Sequence, residues 1–127
     1  MLTQGPRTTY GDWLAFDKCD NRYVSVAYYA YDAWIMAQVS NALSENSEDV
    51  FAQKAQSYQQ LFESIKAEFN DRYWNPLPVN FTQTTLLLPL AFDLLDFEKS
   101  NYACAILRDK IKENKIGFVS PERRYEA

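Results

Sequence analysis

The chain has 127 residues, enough for one domain at most, and its 47% hydrophobic content with 3 Gly and 5 Pro describes a folded globular chain rather than a linker or a disordered tail. A net charge of −4, with no stripe of Lys or Arg along any predicted helix, would repel a phosphate backbone, so no nucleic-acid partner is expected. The absence of histidine removes Ser-His-Asp and Cys-His nucleophile pairs along with the commonest metal ligand, and the distant pair Cys19 and Cys104 has no zinc spacing.

The first notable stretch is TYGDWLAFD, Thr9 to Asp17, which sets a Gly, a carboxylate and a Trp side by side ahead of any regular structure. A packed loop, a sugar-stacking platform and the acid of an active site are the candidate readings. The segment before it, MLTQGPRTT, lacks the charged start and apolar centre of a secretion signal. From Val24 to Leu43 apolar residues occur on nearly every face, which predicts a helix buried on several sides. Its Tyr28, Tyr31 and Trp34, with Phe51, Tyr58 and Phe62 further on, are expected to fill the gap between helix layers.

From Glu48 to about Tyr73, Phe51, Ala55, Tyr58, Phe62, Ile65 and Phe69 recur at steps of three and four, predicting a one-faced amphipathic helix capped by Asn46 or Ser47. TQTTLLLPLAFDLL, from Thr82 to Leu95, is again apolar on most faces, and Pro89 predicts a kink or an early start there. Phe97 to Lys115 returns to the polar pattern, with Ala103, Leu107 and Ile111 on one face and Asp96 as N-cap. No apolar run approaches the roughly 20 residues of a membrane span, so no membrane partner is expected.

The pattern is therefore two helical hairpins, each a buried helix followed by a surface helix. The fold class is all-α, and an inner layer enclosed by an outer one suits part of an α/α toroid. Two hairpins alone would leave the flanks of the inner helices in water, at about 25 cal/mol per Å2 of apolar surface. A piece of something larger, or a chain that associates, is expected.

Acid/base chemistry without His would need a pair of carboxylates, and spacing selects none among the 17 acids. Glu63, Glu68, Asp109 and Glu113 belong to polar helix faces. Asp32, inside YYAYDAWIM, is expected to find a Tyr hydroxyl or a backbone N–H, and Asp93 to serve a helix end. Asp12 sits in a loop beside Trp13, where it can stay wet and reach sugar hydroxyls or simply hold the loop. Both cysteines are expected as buried free thiols.

YGDWLAFD followed by YVSVAYYAYDAWIMAQVSNAL resembles the catalytic-domain sequence of bacterial α-L-rhamnosidases, glycoside hydrolases with a six-hairpin (α/α)6 barrel. The likeness continues through YQQLFESIKAEFNDRYW, TQTTLLLPLAFDLL and EKSNYACAILRDKI, spans Tyr10 to about Val119, and is most specific at Gly-Asp-Trp. In the family a similar Gln-Thr segment opens an inner helix. The resemblance implies an inverting enzyme that removes terminal α-L-rhamnose, with one glutamate as general acid, a second activating water, and no metal or other cofactor in the chemistry. The family's acid lies in an Arg-Leu-Gly-Trp-Thr-Gly-Asp type segment, which nothing here matches, and its base follows well after a Gly-Phe-Val segment. No residue of this sequence is therefore assigned as acid or base.

What carries over is a sugar-facing wall. Trp13 resembles a pocket-lining aromatic, Asp12 its loop partner, and Tyr10 a further part of the same wall, while Gly11 permits a close turn or an unusual backbone angle. Two departures are NKIGFVSPERRYEA, where the family has a His-Leu-(Ser/Thr)-Thr-Gly-Phe approach, and Asp96-Phe97, where PEEK-like residues often stand. Residues 1–127 are thus expected to form a partial barrel domain. Its implied partners are a rhamnose-containing carbohydrate or glycoside and the remainder of the barrel. The alternatives are a helical-hairpin interaction module without catalysis and another toroid glycosidase, such as a glucuronyl hydrolase, which would differ at Gly-Asp-Trp.

Overall fold

The computed structural model describes Gly11, residues 17–45 and residues 49–114. These form four helices, α1 (Asn21–Ser44), α2 (Asp49–Tyr73), α3 (Gln83–Ala91) and α4 (Phe97–Asn114), with no strand among the described residues. α1 begins three residues before the apolar pattern does, because Asp20 caps it: its carboxylate accepts from the Arg22 N–H at 2.9 Å. The caps expected at Asn46 or Ser47 lie outside the described residues.

α1 and α2 run antiparallel, the Tyr23 ring at the start of α1 meeting Phe69 and Tyr73 at the end of α2. α1 presents Val26, Ala27, Ala30, Ala33, Ala37 and Ser40 to the interior, and α2 answers with Ala55, Phe62, Ile65 and Phe69. The alanines let the two backbones come close, and the large side chains of α2 fill the space. This corrects the expectation that the aromatics of α1 fill the layer. Tyr28 and Trp34 are exposed and Tyr31 is half-buried, because the alanine stripe has taken the inward side. Phe51 and Tyr58 are likewise half-buried, and only Phe62 of the six is fully enclosed. Asp32 is exposed beside them, so it needs no partner and has none of the buried contacts expected for it.

α3 is shorter than the apolar run suggested, and its two ends explain why. At the start, Thr82 Oγ1 accepts from the Thr85 N–H at 3.1 Å while Thr85 Oγ1 accepts from the Thr82 N–H at 2.8 Å, a reciprocal capping box. At the other end, Pro89 cannot donate to the Thr85 carbonyl. The helix stops two residues later, where Asp93 takes a left-handed φ of 56° and the Leu94 N–H donates back to the Pro89 carbonyl at 2.9 Å. That is a Schellman closure with Asp in the place Gly usually holds, and Pro89 and Leu94 are both fully buried across it. Asp93 is thus a helix-end residue, as expected.

α4 starts at its predicted cap, the Asp96 carboxylate accepting from the Lys99 N–H at 2.8 Å. Lys99 also ties the hairpins together. Its Nζ donates to Asn75 Oδ1 at 2.9 Å and Asn70 Oδ1 at 3.4 Å, while Asn70 Nδ2 donates to the Leu94 carbonyl at 2.7 Å. Helix packing pairs α1 with α2, α3 with α4, and α1 with α3. The inner helices α1 and α3 thus touch directly, whereas α2 and α4 do not pack on each other and are linked through the Lys99 side chain. Cys19 is a buried thiol outside any disulfide, but Cys104 is exposed on α4, which corrects the expectation that it too would be buried.

Candidate functional site

The inner helices run parallel, since Tyr23 meets Thr85 near their starts and Tyr31 meets Phe92 two turns on. Their starts form one end of the molecule. There the Tyr23 hydroxyl donates to the Thr85 carbonyl at 2.6 Å and accepts from Trp74 Nε1–H at 3.1 Å. Thr85 is four residues before Pro89, so Tyr23 satisfies the carbonyl that the proline leaves without its helical partner. Burial pushes the Tyr23 phenol well above its ordinary range, and the Trp74 N–H works the other way. A cavity of about 160 Å3 opens beside this chain, between Tyr23, Tyr73, Trp74, Asn80 and Phe81.

Gly11 belongs to the same end. It has a φ of +55°, and an added Cβ would overlap the Asn21 Oδ1 at the first residue of α1. The unusual backbone angle expected at this glycine is therefore present. Tyr10, Asp12 and Trp13, the residues predicted to meet the sugar, lie outside the described residues.

A second, more open cleft of about 300 Å3 lies further along α1, lined by Tyr31, Trp34, Ala91, Phe92 and Asp93. Its rings stack: Tyr31 lies 4.3 Å from Phe92 at 5° and 5.9 Å from Trp34 at 11°. Nothing in the sequence singled out this cleft, because Phe92 reaches it only after α3 has ended early. Across the described residues no group of three or more Cys, Asp or Glu side chains is close enough to hold a metal ion. No described helix is long and apolar enough to cross a membrane.

The sequence reading also passed over Gln83. It is buried at the first position of α3, and neither atom of its amide has a hydrogen-bond partner. No local signal marked it, because a glutamine beside two capping threonines looks like any polar residue at a helix start.

Compared with known proteins, residues 1–121 match the bacterial alpha-L-rhamnosidase 6 hairpin glycosidase domain. A curated alpha-L-rhamnosidase from Formosa agariphila is 28% identical over 116 residues, covering 83% of this chain and 12% of that protein. The chain thus spans about an eighth of the length of the curated relative it matches. No solved structure matches it.

Proposed function

This chain belongs to the six-hairpin glycosidase domain family of bacterial alpha-L-rhamnosidases, and from that premise we propose that it forms one arc of an inverting glycoside hydrolase acting on terminal α-L-rhamnose. Residues 1–127 supply about two hairpins and an N-terminal loop of the catalytic barrel. Trp13, Asp12 and Tyr10 supply sugar-pocket wall, and the general acid and base come from elsewhere in the barrel.

The observation that carries the reading is the uncovered side of α1. Tyr28, Tyr29, Met36, Val39 and Leu43 are all exposed on a helix whose only charged residues are Arg22 and Asp32. An inner helix of a closed ring is flanked on both sides, and here α3 flanks one. The remainder of the barrel is the partner that fits the other. A wall of aromatic and acidic groups suits a rhamnose-containing glycoside, because ring C–H groups stack on the indole while a carboxylate accepts hydrogen bonds from the hydroxyls.

Two assays test this. The purified chain should not hydrolyse p-nitrophenyl α-L-rhamnopyranoside, and measurable turnover would refute the assignment of acid and base to other segments. In an enzyme where this chain is joined to the rest of a barrel, Trp13→Ala should lower kcat/KM by about fivefold or more, the worth of an aromatic contact of roughly 1 kcal/mol. An unchanged kcat/KM removes Trp13 from the wall. The same bare face also suits a non-catalytic interaction module. That reading gains if barrel segments from a rhamnosidase fail to restore turnover while an unrelated protein binds the face.

A further inference from the structure

The open cleft beside Trp34 holds a charge that nothing in the described chain answers. Asp93 lines it together with Tyr31, Trp34, Ala91 and Phe92. Among the described residues the Asp93 carboxylate makes no hydrogen bond or ion pair. The two stretches that build the cleft, between Arg22 and Lys54 and between Arg72 and Lys99, contain no Lys or Arg. Lys99, the cation nearest to Asp93 in sequence, is turned to Asn70 and Asn75. Lys54 and Lys66 lie over Phe51 and Phe62, and no described cation lies over a ring of the cleft.

The rings add to the same demand. Tyr31 is engaged by Phe92, on which it stacks at 4.3 Å, whereas Trp34 is 41% exposed. An exposed indole attracts a cation, and among cationic side chains arginine stacks flat on it. A carboxylate at the rim of the same cleft can accept two N–H groups of a guanidinium side by side. The cleft also joins the bare face of α1, because exposed Tyr28 meets Phe92 edge-on at 5.1 Å. What covers that face also closes over the cleft and draws Asp93 out of water. A carboxylate buried without a cation or donors is costly, so the cover has to bring one.

We infer that this cleft receives an arginine side chain from the adjoining segment of the barrel, its guanidinium stacked on Trp34 and forked onto the Asp93 carboxylate, an assignment that rests on the barrel reading above. Three features select this occupant: the unanswered negative charge, the aromatic wall, and continuity with the face that the rest of the barrel covers.

The lone chain is tested first. Its 15N-labelled form is titrated with N-acetylarginine amide and read at the Trp34 indole N–H. That signal should shift and saturate, the Kd should rise with added salt, and N-acetylcitrulline amide, planar but neutral, should leave it still. Asp93→Asn keeps a residue that tolerates the left-handed φ. It should raise the Kd about fivefold and leave Tm within about 3 °C. A citrulline probe that binds equally well overturns the assignment, as does an arginine probe that leaves Trp34 still, whether or not methyl α-L-rhamnoside moves it. A lowered Tm in Asp93→Asn shows that the carboxylate already has a partner within the chain, and equally overturns it. Barrel segments from a rhamnosidase then test the source. Their association with the chain should weaken about tenfold or more in Asp93→Asn. Association that this substitution leaves unchanged overturns the inference and leaves the barrel standing. Segments that fail to associate even with the unaltered chain sink the barrel reading, and the inference falls with it.

Discussion

The two sides of α1 differ in a way that separates folding from function. One side is an alanine stripe sealed against α2, with Ala27, Ala30 and Ala37 wholly enclosed. The other carries the bulkier residues, Tyr28, Tyr29, Met36, Val39 and Leu43, and faces outward. A helix stabilised by its large apolar side chains would be arranged the other way round. Here close backbone approach holds the hairpin, and the large side chains are left for a surface beyond it. The stability of this chain should therefore depend on small and enclosed residues, and its assembly on large and exposed ones.

The largest effect should come from Trp74, which is fully enclosed at the end of α2 and donates to Tyr23. Trp74→Ala should cost about 3–5 kcal/mol in urea denaturation, since it opens a cavity and removes a hydrogen-bond donor from Tyr23. A loss under about 1 kcal/mol would mean that the end of the hairpin is not where the chain is held. Next is Ala30→Leu on the sealed side. It should destabilise by about 1–3 kcal/mol because the close approach leaves no room for the added carbons. A neutral result would show that the helices can separate freely, and the contrast between the two sides of α1 would lose its basis.

Tyr23 sharpens the same contrast through pH. Its phenol is raised chiefly by burial, so the folded state holds the proton more tightly than the unfolded chain does. Its contribution is fully present below the unfolded value of about 10 and is lost as pH rises from there toward the folded value. Tyr23→Phe should lower stability at neutral pH by about 1–3 kcal/mol, because the Thr85 carbonyl and the Trp74 N–H both lose their partner. The gap between the two proteins should then narrow above pH 10. A gap that stays constant from pH 8 to pH 11 would show that the phenol is not enclosed.

Much of this architecture was legible in the sequence, and the failures have specific causes. The period of α2 and the Asp96 cap of α4 are local signals, and both are present as read. α1 was harder because apolar residues surround it, so polarity alone could not say which side faces in. Residue size could have done so, since Ala27, Ala30, Ala33 and Ala37 share one face. Pro89 announced a broken hydrogen bond, but its remedy, a hydroxyl from Tyr23 on another helix, is a tertiary fact that no local pattern contains. At the candidate site, Gly11 was readable because a left-handed φ favours glycine. Gln83 was not, because a glutamine at a helix start looks like any polar surface residue until its burial is known.

Smaller effects test the points where the chain turns or stops. Asp93→Gly should stabilise by up to about 1 kcal/mol, because glycine adopts the left-handed φ of 56° without the steric cost that aspartate bears. A loss instead would show that the Asp93 carboxylate contributes more than its backbone position does, and would draw attention to the aromatic cleft it borders.

The smallest effect is expected on the outward side of α1, and it decides what that side is for. Val39→Ser removes a large exposed apolar side chain, and in the lone chain it should change stability by no more than about 0.5 kcal/mol. The same substitution should weaken association with the remaining barrel segments, where Val39 would become enclosed. A large loss of stability in the lone chain would mean that the face is already covered, and a second copy of the chain is then the simplest cover. Protein concentration separates these cases, because a dimer's Tm rises as the chain is concentrated and a monomer's does not. A concentration-independent Tm together with a neutral Val39→Ser leaves the face bare in the free chain, as an arc awaiting its ring requires.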